Sequence, residues 1–343
     1  MTPVKAPIDL VRDLLAGGIR IGEPRAAKAL TFFPLFTDAP REPRYVVAAE
    51  AFETGTLTIG ELEGGVVPQL VVQNRGELPV LLVDGEHLEG ARQNRVLNTT
   101  VLAAPMHDTV IPVSCVEQGR WHFTGRQDFV PAPELAYAEL REMKASFVAA
   151  NARAGRGFTA DQAKIWAEVE RKRRQVSAGP SSTGAMRDTF AQRRAELDRI
   201  VASFPAPEPG QTGVIACVGR HPVALDAFEH PSVLARLWPR LVNGYAMDAL
   251  GRRAGHPDPF AVPGFLAVAS RGEATSHEGV GLGIDVILTA PALVALALTW
   301  ERGVVHTAAF AAPRVEKKKD TGSGDRTHSR RSRSWFADPP ATP

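Results

Sequence analysis

The chain has 343 residues, a length that allows one large domain or two ordinary ones. Hydrophobic residues make up 44% of it and charged residues 23%, so it can bury a sizeable core, as soluble globular proteins do. The net charge of +2 is uneven: residues 313–343 hold eight Lys or Arg and four Asp or Glu, which leaves 32 basic and 34 acidic residues elsewhere. The composition therefore excludes a body that binds nucleic acid through excess positive charge.

Neither cysteine, Cys115 or Cys217, belongs to a cluster with zinc-ligand spacing. The N-terminal residues include acidic groups and lack the long apolar segment of a signal peptide, which favours a cytoplasmic location and reduced thiols. The most apolar run, residues 286–300, contains Pro291 and is shorter than the roughly 20 residues that a membrane helix needs. The sequence therefore predicts a buried core segment there and no membrane segment.

Residues 1–29 predict an extension with one short helix, which ends at Gly17 and Gly18. Its apolar side is formed by Ile8, Val11, Leu14 and Leu15. From residue 30 to residue 130 the pattern changes to short strands, which turn residues separate at intervals of about 8–12 positions. These runs are LTFFPLF, YVVAAEAF, TLTIGEL, PQLVVQN, PVLLVDGE, NTTVLAA and TVIPVSCVE. Such spacing is typical of an antiparallel sandwich or a barrel.

Three helices are predicted in the middle of the chain. The first begins at Pro133 and Glu134, which suit a first helical turn. Its apolar stripe consists of Ala136, Leu140, Met143 and Phe147. The second begins at a capping box of Thr159 and Gln162, and the third begins near Thr183.

The back half of the chain mixes strands with a helix. A Pro-rich linker, PAPEPGQ, leads into a hairpin whose turn lies at Gly219 and Arg220. A helix follows at residues 232–250, and Pro239 is expected to kink it. Four strand-like runs come next: FLAVASR, LGIDVILTA, LVALALTW and VVHTAAF.

Together these patterns predict an α+β fold with a shared core. Residues 30–130 form a β-rich front half that resembles a sandwich or barrel, residues 131–204 a helical segment, and residues 205–312 a mixed α/β back half. The tail, residues 313–343, is charged and has almost no aliphatic side chains. It cannot bury enough apolar surface to offset its ordering entropy, so a disordered basic segment is predicted.

Two polar clusters follow apolar strands and are candidate sites. Because two arginines can clamp a carboxylate or a phosphate, a ligand site is predicted at Arg92, Gln93, Asn94, Arg95, Asn98 and Arg120. Glu86 or Glu117 could serve there as a catalytic base or as an arginine partner. The alternative is a structural network that pins strand ends and turns. In either case the two clusters are expected to lie close together, since buried charges need partners.

Cys115 is interpreted as a small buried hydrophobe, because it shares a strand face with Ile111 and Val113. The alternative is a catalytic thiol, which would need an activating base such as His122. No glycine-rich nucleotide motif, P-loop, hydrolase nucleophile motif or metal-ligand spacing is present, so no cofactor is assigned.

Three further polar features have structural interpretations. The basic run at residues 171–174 indicates a solvated helix face, with a contact to an anion or to RNA as the alternative. His306 is interpreted as a satisfied core histidine. Asp226 is expected to pair with Arg220 or to cap the following turn.

One family resembles the chain in four strings: PVLLVDGEHLEGARQNRVLNTTVL, IPVSCVEQGRW, VALDAFEHPSVLARLWPRLVNGYAMDAL and VVHTAAF. It is the ARG-and-rhodanese-phosphatase-superfamily-associated protein domain, and the resemblance covers about residues 30–312. It implies a bacterial domain whose relatives occur alongside ADP-ribosylglycohydrolase-type and phosphatase-type proteins. It implies no established reaction, so it assigns no catalytic residue.

The function predicted from these features is a ligand-binding or accessory module for a small anionic metabolite. A link to ADP-ribose or to nucleotides rests on the family association alone. The first alternative is a hydrolase that uses Glu86 or Glu117 beside the arginines. The second is a scaffold whose basic tail contacts nucleic acid or acidic partners.

Overall fold

The structure is a computed structural model that describes residues 5–38, 42–62, 67–123 and 127–313. The helices in these ranges are α1 (Pro7–Gly17), α2 (Ala48–Glu53), α3 (Ala138–Arg153), α4 (Gln162–Gln175), α5 (Met186–Gln192), α6 (Arg194–Val201), α7 (Pro231–Ala249) and α8 (Ala261–Ser270). None of these helices is long and apolar enough to cross a bilayer.

The strands in the same ranges are short and numerous. They are β1 (Ile19–Ile21), β2 (Arg25–Ala27), β3 (Leu30–Thr37), β4 (Val46–Val47), β5 (Leu57–Glu61), β6 (Gln69–Asn74), β7 (Val80–Leu82), β8 (Glu86–Gly90), β9 (Arg95–Leu97), β10 (Val101–Ala103), β11 (His107–Cys115), β12 (Phe129–Leu135), β13 (Gly213–Val218), β14 (His221–Phe228), β15 (Glu273–Glu278), β16 (Ile284–Ala290), β17 (Leu293–Trp300) and β18 (Gly303–Ala311). With the helices they confirm a mixed fold of the predicted class.

A nine-stranded antiparallel sheet joins the start of the chain to its back half. Its strand order is β1-β3-β13-β14-β18-β17-β16-β15, and β2 also pairs with β3. Period-two alternation buries both of its faces: on β13, Val214 and Ala216 enter the main core, whereas Ile215 and Cys217 enter a second core that includes α1 and α8. The predicted hairpin lies between β13 and β14, where Gly219 takes a φ of +61°.

The front half forms two smaller sheets around a third core, to which Ala48 and Ala51 of α2 contribute. The larger sheet has the order β12-β8-β9-β11-β6-β5, and the smaller one has the order β10-β7-β4. This arrangement confirms the β-rich front half. Strand β3 is different, because it pairs with β13 of the back half. The two halves therefore share a sheet as well as the main core.

The middle segment is helical, but its helices begin later than predicted. Pro133 and Glu134 lie in β12, which pairs with β8, and α3 begins at Ala138. The cap of α4 is Asp161 rather than Thr159, because the Asp161 carboxylate accepts two backbone N–H groups of the first turn.

Three other elements refine or correct the predictions. The third predicted helix is divided into α5 and α6, which meet at Arg193. Helix α7 continues through Pro239 from its first residue to its last. The run FLAVASR was predicted as a strand, and this is wrong, because it belongs to α8. The apolar residues of α8 recur at helical spacing and cover the nine-stranded sheet: Val262, Phe265, Leu266 and Ala269.

The predicted basic tail falls, from residue 314 onward, outside the described residues. Because that segment has almost no aliphatic side chains to pack, we expect a chain that ends at Pro313 to melt within about 2 °C of the full chain, a change of well under 1 kcal/mol. Thermal unfolding followed by circular dichroism measures the difference. A larger loss would show that the tail packs on the folded body.

Candidate functional site

Antiparallel pairing brings two of the predicted polar segments together. Cys115 on β11 lies opposite Arg95 on β9, so the residues before Arg95 lie beside those after Cys115. The Gln93 side chain donates to the carbonyl of Glu117 at 2.9 Å, and the backbone N–H of Asn94 donates to the Glu117 carboxylate at 3.1 Å. We call Gln93, Asn94, Arg95, Cys115, Glu117 and Arg120 the strand-end cluster.

Arg120 and Glu117 form a bidentate ion pair. Arg120 donates from Nε and from a terminal nitrogen to the two Glu117 oxygens, at 2.9 and 2.7 Å. It also donates to the carbonyls of Ala91 and His122, at 2.7 and 3.1 Å. Burial opposes ionisation of Glu117, but the hydrogen bonds from Arg120 and Asn94 prevail and lower the pKa of the carboxyl group. Glu117 is therefore a weak base that is already fully engaged.

Arg95 has donor groups that the surrounding protein does not use. Its side chain is inaccessible to solvent, and one terminal nitrogen donates to the carbonyl of Gln93 at 2.9 Å. Nε and the other terminal nitrogen have no hydrogen-bond partner among the described residues. Glu61 is 3.9 Å away, and both of its carboxylate oxygens also lack partners there. Burial lowers the pKa of Arg95. This buried guanidinium thus retains capacity to bind an acceptor.

Arg92 is partly buried and lies beside two exposed aromatic rings. Its guanidinium carbon is 5.6 Å from the centre of the Trp121 ring and 5.2 Å from that of Phe123. The rings are 47% and 46% exposed. Both distances fall within the range of cation–π attraction. We call these three side chains the arginine–aromatic surface.

Two of the predicted site residues have other partners. Asn98 accepts from the Ser114 hydroxyl at 2.7 Å and donates to the carbonyl of Phe158 at 3.0 Å, which ties β11 to the start of α4. Glu86 forms a buried ion pair with Arg240 of α7. Burial raises the pKa of Glu86 in spite of that partner. No contact in the described ranges links Glu86 to Glu117 or Arg120, although its strand β8 pairs with β9, the strand of Arg95.

Both thiols are buried and unpaired. The Cys115 sulfur lies 3.1 Å from the Gln93 side-chain oxygen and 3.0 Å from the carbonyl of Glu117. Burial raises the pKa of Cys115, and it raises the pKa of Cys217 to about 12. Within the described ranges, exposed His122 forms no hydrogen bond with either thiol. The geometry therefore favours Cys115 as a packed thiol over a nucleophile.

A second buried network joins the two halves, and the sequence did not reveal it. Arg141 of α3 donates to Asp84 at 3.0 Å and to the two oxygens of Asp226 at 2.9 and 2.7 Å. Lys144, almost one turn further along α3, forms an ion pair with Asp84 and donates to the carbonyl of Asn98 at 3.0 Å. The four charged side chains are at most 1% exposed. Two cations balance two carboxylates, so the network is suited to hold the fold together.

Further hydrogen bonds complete this network around Asp226. The Tyr245 hydroxyl donates to Asp226, and His306 contacts it through Nε2 at 2.9 Å. The Nδ1 atom of His306 lies 2.7 Å from the Thr100 hydroxyl. Burial would raise the pKa of Asp226, but Arg141 and His306 outweigh it and lower that pKa. The expected pairing of Asp226 with Arg220 is therefore wrong, because Arg141 occupies both carboxylate oxygens.

One group of side chains could hold a metal ion. His87, Glu89 and Glu134 each place a ligand atom within 4.8 Å of the others. This group could not be predicted from residue spacing, because Glu134 lies 47 residues from His87.

Two shallow cavities open on the described surface, and neither is lined by the strand-end cluster. One, of about 380 Å³, lies between α1 and α8 and includes Leu15 and Arg271. The other, of about 240 Å³, lies beside β11 and includes Pro112 and Phe158.

Comparison with protein families gave one match. The model of the ARG and Rhodanese-Phosphatase-superfamily-associated Protein domain matches residues 18–310, so the match begins before residue 30, where the resemblance was placed. Neither comparison with curated proteins nor comparison with solved structures gave a match. Since the family model covers most of the sequence, the chain belongs to the ARG and Rhodanese-Phosphatase-superfamily-associated Protein domain family.

Proposed function

We propose that this domain is a binding module for a small anionic ligand with a flat ring, and that the arginine–aromatic surface makes the first contact. The observation that carries the proposal is the exposure of Trp121 and Phe123 beside the charged side chain of Arg92. Large apolar side chains that are exposed next to one another, rather than singly, often mark a binding surface.

The charge of Arg92 is available to a ligand. None of the ion pairs within the described ranges includes it, whereas neighbouring Arg120 is neutralised by Glu117. Arg92 can donate to a phosphate or carboxylate while a planar ring stacks on Trp121 or Phe123.

Nucleotides and ADP-ribose combine a flat base with phosphate groups, so they match this surface chemically. The family name associates the domain with ARG proteins and with a phosphatase superfamily, which is consistent with that ligand class. The proposal therefore places ADP-ribose and adenine nucleotides first among the ligands to test.

Binding by the full-length chain is expected for AMP or ADP-ribose and not for adenosine, which lacks the negative charge. Replacing Arg92 with alanine removes a charged hydrogen bond and should weaken binding about 10–100-fold. Trp121→Ala removes the stacking surface and should have a similar effect. Isothermal titration calorimetry measures both losses, and ligand-dependent quenching of Trp121 fluorescence supports them.

A matched control is Arg20→Ala, since Arg20 is likewise a cation beside an aromatic ring, 4.2 Å from the centre of the Phe36 ring, but it lies on β1 rather than on this surface. It should bind as the wild type does. The free energy of unfolding of Arg92→Ala should stay within about 0.5 kcal/mol of the wild type. The proposal fails if no anionic nucleotide binds, or if Arg20→Ala and Arg92→Ala weaken binding equally.

The hydrolase alternative has weaker support. Glu117 is held by Arg120 and has a lowered pKa, which makes it a poor general base. Glu86 has a raised pKa, but it is 1% exposed and faces Arg240. The scaffold alternative rests only on the charge of the tail.

A further inference from the structure

Strands β8 and β12 bring three potential metal ligands to one point. His87 and Glu89 project from the same face of β8, because they are two residues apart. The register of β12 shifts between Pro131 and Leu135, so that extra residues of β12 lie opposite His87. This irregularity turns Glu134 toward His87, and their side chains meet at 3.1 Å.

The three side chains differ in their access to solvent. His87 is inaccessible and Glu134 is 1% exposed, whereas Glu89 is 19% exposed and forms the open side of the group. Nδ1 of His87 faces Glu134, and Nε2 has no hydrogen-bond partner among the described residues. A buried imidazole usually has partners for both nitrogens, so His87 has unused binding capacity.

Two partly exposed arginines pair with the two carboxylates of this group. Arg187 lies 3.1 Å from one oxygen of Glu89, and Arg194 lies 3.5 Å from the Glu134 oxygen that does not face His87. Their side chains are 58% and 38% exposed, so both can turn outward without leaving a buried cation. Each carboxylate therefore retains one oxygen for a cation.

We propose that His87, Glu89 and Glu134 bind a single divalent transition-metal ion such as Zn²⁺ or Mn²⁺. One nitrogen and two oxygen ligands favour these ions over Ca²⁺ and Mg²⁺, which prefer oxygen ligands alone. Metal–ligand bonds of about 2.0–2.2 Å place the ligands of one ion no more than about 4.4 Å apart. The present separations, within 4.8 Å, need only a small closure. Three protein ligands leave a coordination position for water or an anionic ligand.

Calorimetric titration of the full-length chain with ZnCl₂, after treatment with a chelator, tests the site directly. The wild type should bind one ion at this site. Glu89→Gln should weaken binding at least about 10–100-fold, the loss seen when even a supporting residue of a metal site is changed. His87→Ala should abolish binding. Co²⁺ provides a second readout, because its visible absorption bands should appear with the wild type and disappear with both variants.

His107→Ala is the matched control, since His107 is an exposed histidine at the start of β11. It should bind Zn²⁺ as the wild type does. If His87→Ala fails to fold, Glu89→Gln decides, because Glu89 is partly exposed and its neutral amide keeps the shape of the side chain. Absence of binding to the wild type, or unchanged binding to Glu89→Gln, would refute the proposal. The proposed metal site involves neither Arg92 nor Trp121, so the metal proposal can fail while the proposed function stands.

Discussion

Replacing Arg141 with alanine is expected to lower the free energy of unfolding by about 3–5 kcal/mol, the usual cost of removing one partner of a buried ion pair. Arg141 is the only cation in the described contacts that touches both Asp84 and Asp226. Without it Asp226 keeps His306 and Tyr245, and Asp84 keeps Lys144, but each buried carboxylate has lost one cation.

Urea unfolding measures this loss, provided that the unfolding free energy of both proteins depends on urea concentration with the same slope. Arg153→Ala is the matched control. Arg153 lies on the same helix, but its side chain is 45% exposed and pairs with Glu273 at 3.6 Å, so its loss should cost less than about 1 kcal/mol. The native pKa of Asp226 is lowered, so the stability it contributes is present above the unfolded pKa and is lost on acidification. The difference between the wild type and Arg141→Ala should therefore narrow at low pH. Equal losses in both variants would contradict this account.

Turn residues and strand patterns in the sequence were sufficient to predict much of the fold. The hairpin at Gly219 was predicted because a residue with positive φ must separate two apolar runs, and the front strands were predicted from alternation and turn residues. The prediction of a strand for the run FLAVASR failed because a short apolar segment fits a strand and a buried helix equally well. Only packing against the nine-stranded sheet decides that α8 is a helix.

The helix α3 shows why the buried network could not be predicted. The hydrophobic stripe that includes Met143 and Phe147 predicted the buried face of this helix. Both residues are only partly buried, whereas Arg141 and Lys144 are fully buried. Charged residues read as solvent-facing unless their partners are known, and Asp226 lies 85 residues away. In the basic run at residues 171–174, the three arginines are at least partly exposed as predicted, but Lys172 is buried and pairs with Asp248 at 2.9 Å.

The candidate site was predictable only where chain neighbours are also neighbours in space. Each of the two polar clusters follows an apolar strand in the sequence. The pairing of the start of β9 with the end of β11 assembles the strand-end cluster. Glu86 and His87 belong to the same motif, but their partners, Arg240 and Glu134, come from later elements. No pattern in one sequence specifies such distant pairs.

Asp285→Asn is expected to stabilise the protein at neutral pH, by about 1–3 kcal/mol at pH 7. Asp285, on β16, faces the front half, where the Thr99 hydroxyl donates to it at 3.3 Å. Its second oxygen has no hydrogen-bond partner among the described residues. Burial raises the pKa of this carboxyl group to about 8, against about 3.9 in an unfolded chain. The native state therefore strongly prefers the protonated form.

The sign of the pH dependence follows from that shift. Because the native pKa lies above the unfolded pKa, the contribution of Asp285 to stability is fully present below about pH 4 and falls by up to about 1.4 kcal/mol per pH unit until about pH 8. Asparagine keeps the bond from Thr99 and does not titrate, so the advantage of Asp285→Asn should grow between pH 4 and pH 8. At pH 4 the variant should be no more stable than the wild type, since its amide N–H group gains no acceptor.

Urea unfolding of the wild type and Asp285→Asn at several pH values measures this trend, with Asp198→Asn as the control. The Asp198 side chain is 60% exposed, so its substitution should shift stability by a small amount that hardly changes over the same range. A constant difference between the wild type and Asp285→Asn from pH 4 to pH 8 would show that Asp285 is ionised in the native state. In that case a cation, or a rearrangement of the contact with Thr99, must compensate the buried charge.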